Sequence, residues 1–158
     1  EDSLNSIDRD ISIFPAVGNL FKRKLLINKT KSLGFKITQL VHPSSFVCKS
    51  STINNSSLTY NSFVSNNVNI GEDSILGTGS YVHHNTIIGK NCLIGGGTHI
   101  GASVIVGDNV LFGIGSIVAS KKITIGSNCV IGSGAVVLDN IEDNSTVVGN
   151  PARKINLS

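Results

Sequence analysis

A six-residue period runs through most of this chain and decides what it can fold into. Apolar residues recur at Val64, Ile70, Leu76, Val82, Ile88, Ile94, Ile100, Val106, Phe112 and Val118. One extra residue then intervenes, and the pattern resumes at Ile125, Ile131 and Val137. Glycine commonly follows the apolar residue, as at Gly71, Gly77, Gly89, Gly95 and Gly101, and the fifth position is small or β-branched, as at Val68, Ser74, Thr86, Cys92 and Ala135. Weaker hexads at Val41, Val47 and Ile53 extend the pattern backwards. Six matches neither the 3.6 period of a helix nor the period of 2 of a long strand. It matches a short strand followed by a turn. Alternation within the strand makes the fifth, sixth and next first positions point in, out and in. The glycine then supplies backbone freedom at the corner. Three hexads close one coil, and coils stacked about 4.8 Å apart form parallel ladders. No coil buries enough apolar surface to stand alone, so the array folds as a stack. The expected fold class is all-β, a parallel β-helix of hexapeptide repeats.

The sixth positions face outward. They are Ile75, Leu93, Leu111 and Val130 on one face, and Ile87, Ile105 and Ile123 on the next. Two adjacent apolar columns would leave a large exposed patch on a monomer. They are expected to be buried in a homo-oligomer, most simply a symmetric trimer.

The first forty residues obey a different pattern. Ile11–Val17 reads as a strand, Gly18-Asn19 as a turn, Leu20–Ser32 as a basic amphipathic helix and Phe35–Val41 as a second strand. This small β-α-β unit looks like the last part of a larger domain. The expected division is a partial α/β unit over 1–40, the β-helix over 41–149 and a C-terminal tail over 150–158.

Composition excludes several classes. Charged residues make up only 15% of the chain, and its polarity comes from Asn, Ser, Thr and 17 Gly. No apolar run is long enough to span a membrane as a helix. The opening EDSLNSIDRD lacks the basic and apolar regions of a signal peptide. Methionine is absent even at position 1, so the chain is expected to be a fragment or a processed product. A net charge of +3 is too mild to imply nucleic acid. Three cysteines is an odd number, which points to a reducing, cytoplasmic setting. Cys92 and Cys129 share an inward column two coils and about 10 Å apart, too far for a disulfide, and read as core residues.

Histidine is the scarce chemical group. His83 and His84 follow Val82, and His83 stands where glycine is usual. A repeat broken by two imidazoles suggests a choice made for something other than folding. One coil beyond His84 lies Ala102, whose backbone N–H is expected about one strand spacing away. A base beside a backbone donor is what acyl transfer needs: a proton acceptor and a partner for the developing oxyanion. Spacing alone leaves His84 evenly between that role and a polar corner residue. His99 is an outward sixth-position residue, structural or interfacial, and His42 a turn residue. The histidines do not converge as a zinc site requires, so no metal is expected.

The segments FPAVGNLFKRKLL, QLVHPSSFV, SYVHHNTIIGKN and VVGNPARKI, in this order around the hexads, resemble a known family. It is the bacterial hexapeptide-repeat sugar acetyltransferases that act on nucleotide-linked 4-amino sugars, together with the related sialic acid O-acetyltransferases. The resemblance covers nearly all of the chain from Ile11 onward. It implies a left-handed β-helix and a homotrimer with acetyl-CoA lying between subunits. It implies His84 as general base and the backbone of Ala102 against the thioester carbonyl. Arg153 and Lys154 after GNPA, with Lys121 and Lys122, are the implied partners of the coenzyme A phosphates. Gly18 and Asn19, with His83, fall on the nucleotide-sugar side. Three departures stand out. Asn85 replaces the acidic residue that usually follows the histidine and shares its catalytic position. Leu93 replaces a second family histidine. The family's first strand and glycine-rich turn are missing from this chain. The expected function is acetyl transfer from acetyl-CoA to an amino group or hydroxyl of a nucleotide-linked sugar for bacterial surface glycan synthesis. An amine acceptor asks less basicity of His84 and so suits Asn85. The alternatives are a β-helix metalloenzyme of the carbonic anhydrase kind and a non-catalytic repeat scaffold.

Overall fold

The hexads become two-residue strands separated by turns in the computed structural model, which describes Asp8 and residues 10–156. Most of the opening segment read as lacking a signal peptide lies outside the described residues, as do residues 157 and 158. Three parallel sheets run the length of the stack. One is built from Leu40–Val41, Ser57–Leu58, Ile75–Leu76, Leu93–Ile94, Leu111–Phe112, Val130–Ile131 and Thr146–Val148. The second holds Phe46–Val47, Phe63–Val64, Tyr81–Val82, His99–Ile100, Ile117–Val118 and Val136–Val137. The third holds Thr52–Ile53, Asn69–Ile70, Ile87–Ile88, Ile105–Val106 and Thr124–Ile125. Together they form the left-handed parallel β-helix of hexapeptide repeats.

The alternation works as the repeat predicts. Val68, Ile70, Cys92, Ile94, Val110, Phe112, Cys129 and Ile131 are buried in one continuous core. Several hydroxyls at buried fifth positions hydrogen-bond to the backbone of the next coil, while Ser80 Oγ is buried without a partner among the described residues. Thr86 Oγ1 donates to the Gly101 carbonyl at 2.9 Å, and Ser74 Oγ to the Gly89 carbonyl at 3.0 Å. A buried hydroxyl with a partner avoids the desolvation penalty it would otherwise carry.

The corner glycines have a different reason from the expected one. At Gly95 the backbone is not left-handed; a Cβ there would lie 2.6 Å from the carbonyl oxygen of Phe112 in the next coil. Close stacking of coils selects these glycines. The left-handed corner positions are filled largely by asparagine, including Asn67, Asn85, Asn91, Asn109 and Asn128 at φ 53–58°, a conformation asparagine tolerates better than most residues. Asn91 Nδ2 donates to Asn109 Oδ1 at 2.9 Å, and Asn109 Nδ2 to Asn128 Oδ1 at 3.1 Å. The abundance of asparagine is therefore a structural ladder down one edge.

The N-terminal unit forms with shorter strands than expected. β1 is Ser12–Ile13, α1 is Leu20–Ser32 and β2 is Lys36–Ile37, with β1 and β2 parallel. Asn19 caps α1, its side chain accepting from the Lys22 N–H at 2.9 Å. The helix is not amphipathic in the expected sense. It buries Arg23, Ile27 and Thr30 and exposes Phe21 and Leu25.

The outward columns need two corrections. Ile123 is buried, because the extra residue after Val118 shifts the register and brings Thr124 opposite Ile105. The column Ile75, Leu93, Leu111 is half-buried within a single chain, with the Gly18 turn lying against Leu93. Val130, the last member of that column, is exposed. Residues 150–156, read as a tail, are ordered: Arg153–Ile155 folds back antiparallel onto Thr146–Val148.

Candidate functional site

His84 lies at the corner between strands Tyr81–Val82 and Ile87–Ile88, exposed on the surface of one chain. The parallel register that pairs Val82 with Ile100 stacks this corner over Gly101–Ser103. The His84 carbonyl accepts from the Ser103 N–H at 3.0 Å. Ala102 is thus one coil away, as counted. Its N–H donates to Ser120 Oγ at 3.2 Å, so the donor is engaged by a hydroxyl able to rotate away from it.

The imidazole has one side-chain neighbour that orients it. Asn85 Nδ2 lies 3.1 Å from His84 Nδ1, while Asn85 Oδ1 accepts from Asn67 Nδ2 at 3.2 Å. With the amide so placed, Nδ1 accepts and a neutral ring carries its proton on Nε2. A free lone pair on Nε2 requires both amides to turn, so that Asn85 Oδ1 receives a proton from Nδ1. A carboxylate at position 85 would hold that tautomer without a choice.

His83 turns away from this pair. Its ring leans on Tyr81 at 4.6 Å and 48°. Tyr81 belongs to an aromatic ladder on the outer face of the second sheet. Phe46 stacks on Phe63 at 5.0 Å, Phe63 on Tyr81 at 4.3 Å, and Tyr81 on His99 at 5.7 Å. His99 is thereby placed as the last ring of the ladder. Burial, followed by the neighbouring His99 and His84, holds His83 below the usual imidazole range. The ladder escaped sequence reading because its members lie a full coil apart along the chain; counting by coils would have found it.

A groove of about 250 Å³ runs from this corner along the third sheet. Asn85, Ile87, Ser103, Ile105, Lys122 and Thr124 line it. The apolar rows form a wall, and Lys122 sets a positive charge beside it. Of these residues, Ser103 and Thr124 carried no sequence signal. Lys121 is tied to Asp139 at 3.0 Å. Arg153 and Lys154 do not reach this groove. They line a separate cavity of about 270 Å³ at the C-terminal end of the stack, where Lys154 pairs with Glu142 at 3.4 Å. Gly18 is exposed and lies over Leu93, on the first sheet.

The three cysteines are free thiols. Burial pushes the Cys92 thiol up to about 11 and raises Cys129 as well, which leaves both poor nucleophiles. Among the described residues no three His, Cys, Asp or Glu side chains come together to hold a metal ion. Among them, too, no helix is long and apolar enough to cross a membrane.

Residues 67–102 match the family model described as bacterial transferase hexapeptide (six repeats). Residues 103–139 and 122–150 match the hexapeptide repeat of succinyl-transferase. Among solved structures, the chain is similar to the acetyltransferase domain of PglB from Neisseria gonorrhoeae FA1090, with 29% identity and a TM-score of 0.92 over 96% of this chain and 75% of that one. The same domain in complex with acetyl coenzyme A matches at a TM-score of 0.91 and 29% identity, over 97% and 75% of the two chains. PerB from Caulobacter crescentus, in complex with CoA and GDP-perosamine, matches at 28% identity and a TM-score of 0.74, over 92% and 70%.

Proposed function

We propose, from the premise that this chain belongs to the bacterial hexapeptide-repeat sugar acetyltransferases, that it transfers acetyl from acetyl-CoA to an amino group of a nucleotide-linked sugar. Acyl transfer and an acetyl-CoA donor are common ground of the family. The amine, the nucleotide and a role in surface glycan synthesis are this reading's own. One observation carries it: the only corner where two imidazoles interrupt the repeat is also the mouth of a groove with an apolar wall and a lysine.

Acetyl-CoA supplies an acetyl group already activated as a thioester. In this reading the Asn85 and Asn67 amides turn so that Nδ1–H donates to Asn85 Oδ1, and His84 Nε2 accepts the proton of the attacking amine, a step that general-base catalysis accelerates by about 10²–10⁴-fold. The Ala102 N–H, released by Ser120, meets the negative charge that develops on the carbonyl oxygen; as the C=O re-forms the C–S bond breaks, and CoA leaves as the thiol with the proton that His84 holds. Asn85 orients the ring. Ile87 and Ile105 exclude water from an extended apolar chain, and Lys122 meets a phosphate. Arg153 and Lys154 serve a phosphate at the far end. Gly18, Asn19 and His83 face the acceptor, Asn19 with its backbone because its side chain already caps α1. The proposed working form is a homotrimer in the cytoplasm. The exposed Ile87 and Ile105 support it.

The test is acetyl-CoA binding by calorimetry, paired with thiol release on addition of nucleotide-linked 4-amino sugars. Wild type, His84→Ala and Arg153→Ala are compared. The reading expects saturable binding that weakens in Arg153→Ala and survives in His84→Ala, with turnover lost in the latter. A folded wild type that binds no acetyl-CoA would sink it and favour the scaffold.

A further inference from the structure

Arg23 is 0% exposed, yet among the described residues it has no carboxylate within 4.0 Å. Its guanidinium instead makes three hydrogen bonds in three directions. Nε donates to Asn91 Oδ1 at 3.0 Å, one terminal nitrogen to the Val17 carbonyl at 3.1 Å and the other to the Cys92 carbonyl at 3.1 Å. The three acceptors belong to the Asn ladder, the turn that precedes α1, and the backbone of the coil that also carries His84. Burial is the main influence on this group and opposes its charge. Asp73 acts on this charge through space without forming an ion pair; a buried charge compensated only in that way is costly, and an apolar residue of similar size is often tolerated as well or better. Something other than stability accounts for an arginine here.

That something is direction. Apolar contact is non-directional, and the large apolar side chains Phe21 and Leu25 of α1 are exposed rather than packed on the β-helix. Ile27 is buried beside Asp73 and Asn91, and the directional ties between the N-terminal unit and the coil are polar: the Arg23 fork, a bond from Asn91 Nδ2 to the Leu20 carbonyl at 3.3 Å, and a 4.0 Å pair between Lys31 and Asp73. A planar fork with several fixed donors defines rotation as well as distance, which an ammonium on a flexible stem does not. The fork grips Val17, directly before Gly18-Asn19, and so fixes that turn over Leu93.

We infer that Arg23 is a positioning residue: its fork sets the turn Gly18-Asn19 over Leu93 on the first sheet, and so fixes where a nucleotide-sugar acceptor is held. This rests on the function proposed above. It assigns Arg23 an effect on the acceptor and none on the donor.

The experiment compares wild type with Arg23→Met, which keeps the volume, and Arg23→Lys, which keeps the charge and loses the fork. Acceptor kcat/KM is expected to fall at least about tenfold in both variants, while acetyl-CoA affinity stays within about twofold. Hydrogen exchange of the amides at 17–22 is expected to accelerate, with those at 100–106 unchanged. Full rescue by lysine, equal loss toward both substrates, or no loss would overturn the inference. If the wild type acetylates no nucleotide sugar, the proposed function fails, and exchange alone decides the fork. Faster exchange at 17–22 in both variants upholds it as the anchor of the turn, and unchanged exchange overturns it.

Discussion

Asn85 presents its amide nitrogen to His84 Nδ1 at 3.1 Å, where a carboxylate would present an acceptor. The difference is one of tautomer. A carboxylate requires Nδ1–H and frees Nε2 as the base. The amide permits either state, and its bond to Asn67 favours Nε2–H.

Asn85→Glu is therefore expected to raise kcat, by up to about tenfold. A carboxylate beside the ring also stabilises the imidazolium and raises its pKa. The base is then free only at higher pH, so the acidic limb of the kcat profile moves upward. A pH–rate profile of both proteins checks this. An unchanged limb with unchanged kcat would remove Asn85 from the catalytic pair.

Ile105 is 49% exposed in one chain, beside Ile87 at 47%. Charge at the centre of an apolar interface is left buried and unpaired. Ile105→Glu is expected to reduce the sedimenting mass from three times to one times 16.6 kDa and to abolish transfer. A wild type that sediments as a monomer would remove the trimer.

His83 is held below the ordinary imidazole value of 6.5, mainly by burial. The folded state therefore resists the proton that the unfolded chain accepts. This contribution to stability is present above pH 6.5 and is lost as pH falls through the lowered folded value. His83→Gln is expected to flatten the fall in urea midpoint between pH 7 and pH 5. An identical slope in the variant would show that other groups carry the acid sensitivity.

The three thiols separate by environment. Cys48 is half-buried with its sulfur 3.6 Å from Ser50 Oγ, and its thiol is lowered chiefly by hydrogen bonding at Ser50. Cys92 and Cys129 are buried and raised. Titration with an aromatic disulfide at pH 8 is expected to modify Cys48 alone in the native protein and all three in denaturant. Fast modification of Cys92 would mean that the stack opens far more readily than its packing implies.

Periodicity made the β-helix legible because every coil repeats the same local problem. An inward residue every sixth position, a small residue before the strand and a glycine after it are each visible in the string. The Ile123 error came from the same source: one inserted residue shifts register by one, and a shift of one exchanges inside for outside. Thr124, not Ile123, continues the outward column. The pairing of His84 with Ala102 was legible for the same reason, being a count of one coil.

What only the tertiary structure decided concerns contacts between residues with no fixed spacing. The Arg23 fork joins positions 68 and 69 residues apart, through one side chain and one carbonyl. No local pattern distinguishes that arginine from the solvated lysines around it. The direction of the Asn85 amide, the separation of Arg153 and Lys154 from the groove of Lys122, and the stacking of Phe46, Phe63, Tyr81 and His99 likewise depend on how coils and termini meet. The sequence alone determined the repeating fold and the corner where two histidines interrupt it, because a repeat carries its own geometry. The placement of the N-terminal unit and the hydrogen bonds that orient the site belong to the tertiary structure, because they are set by directional bonds across the stack.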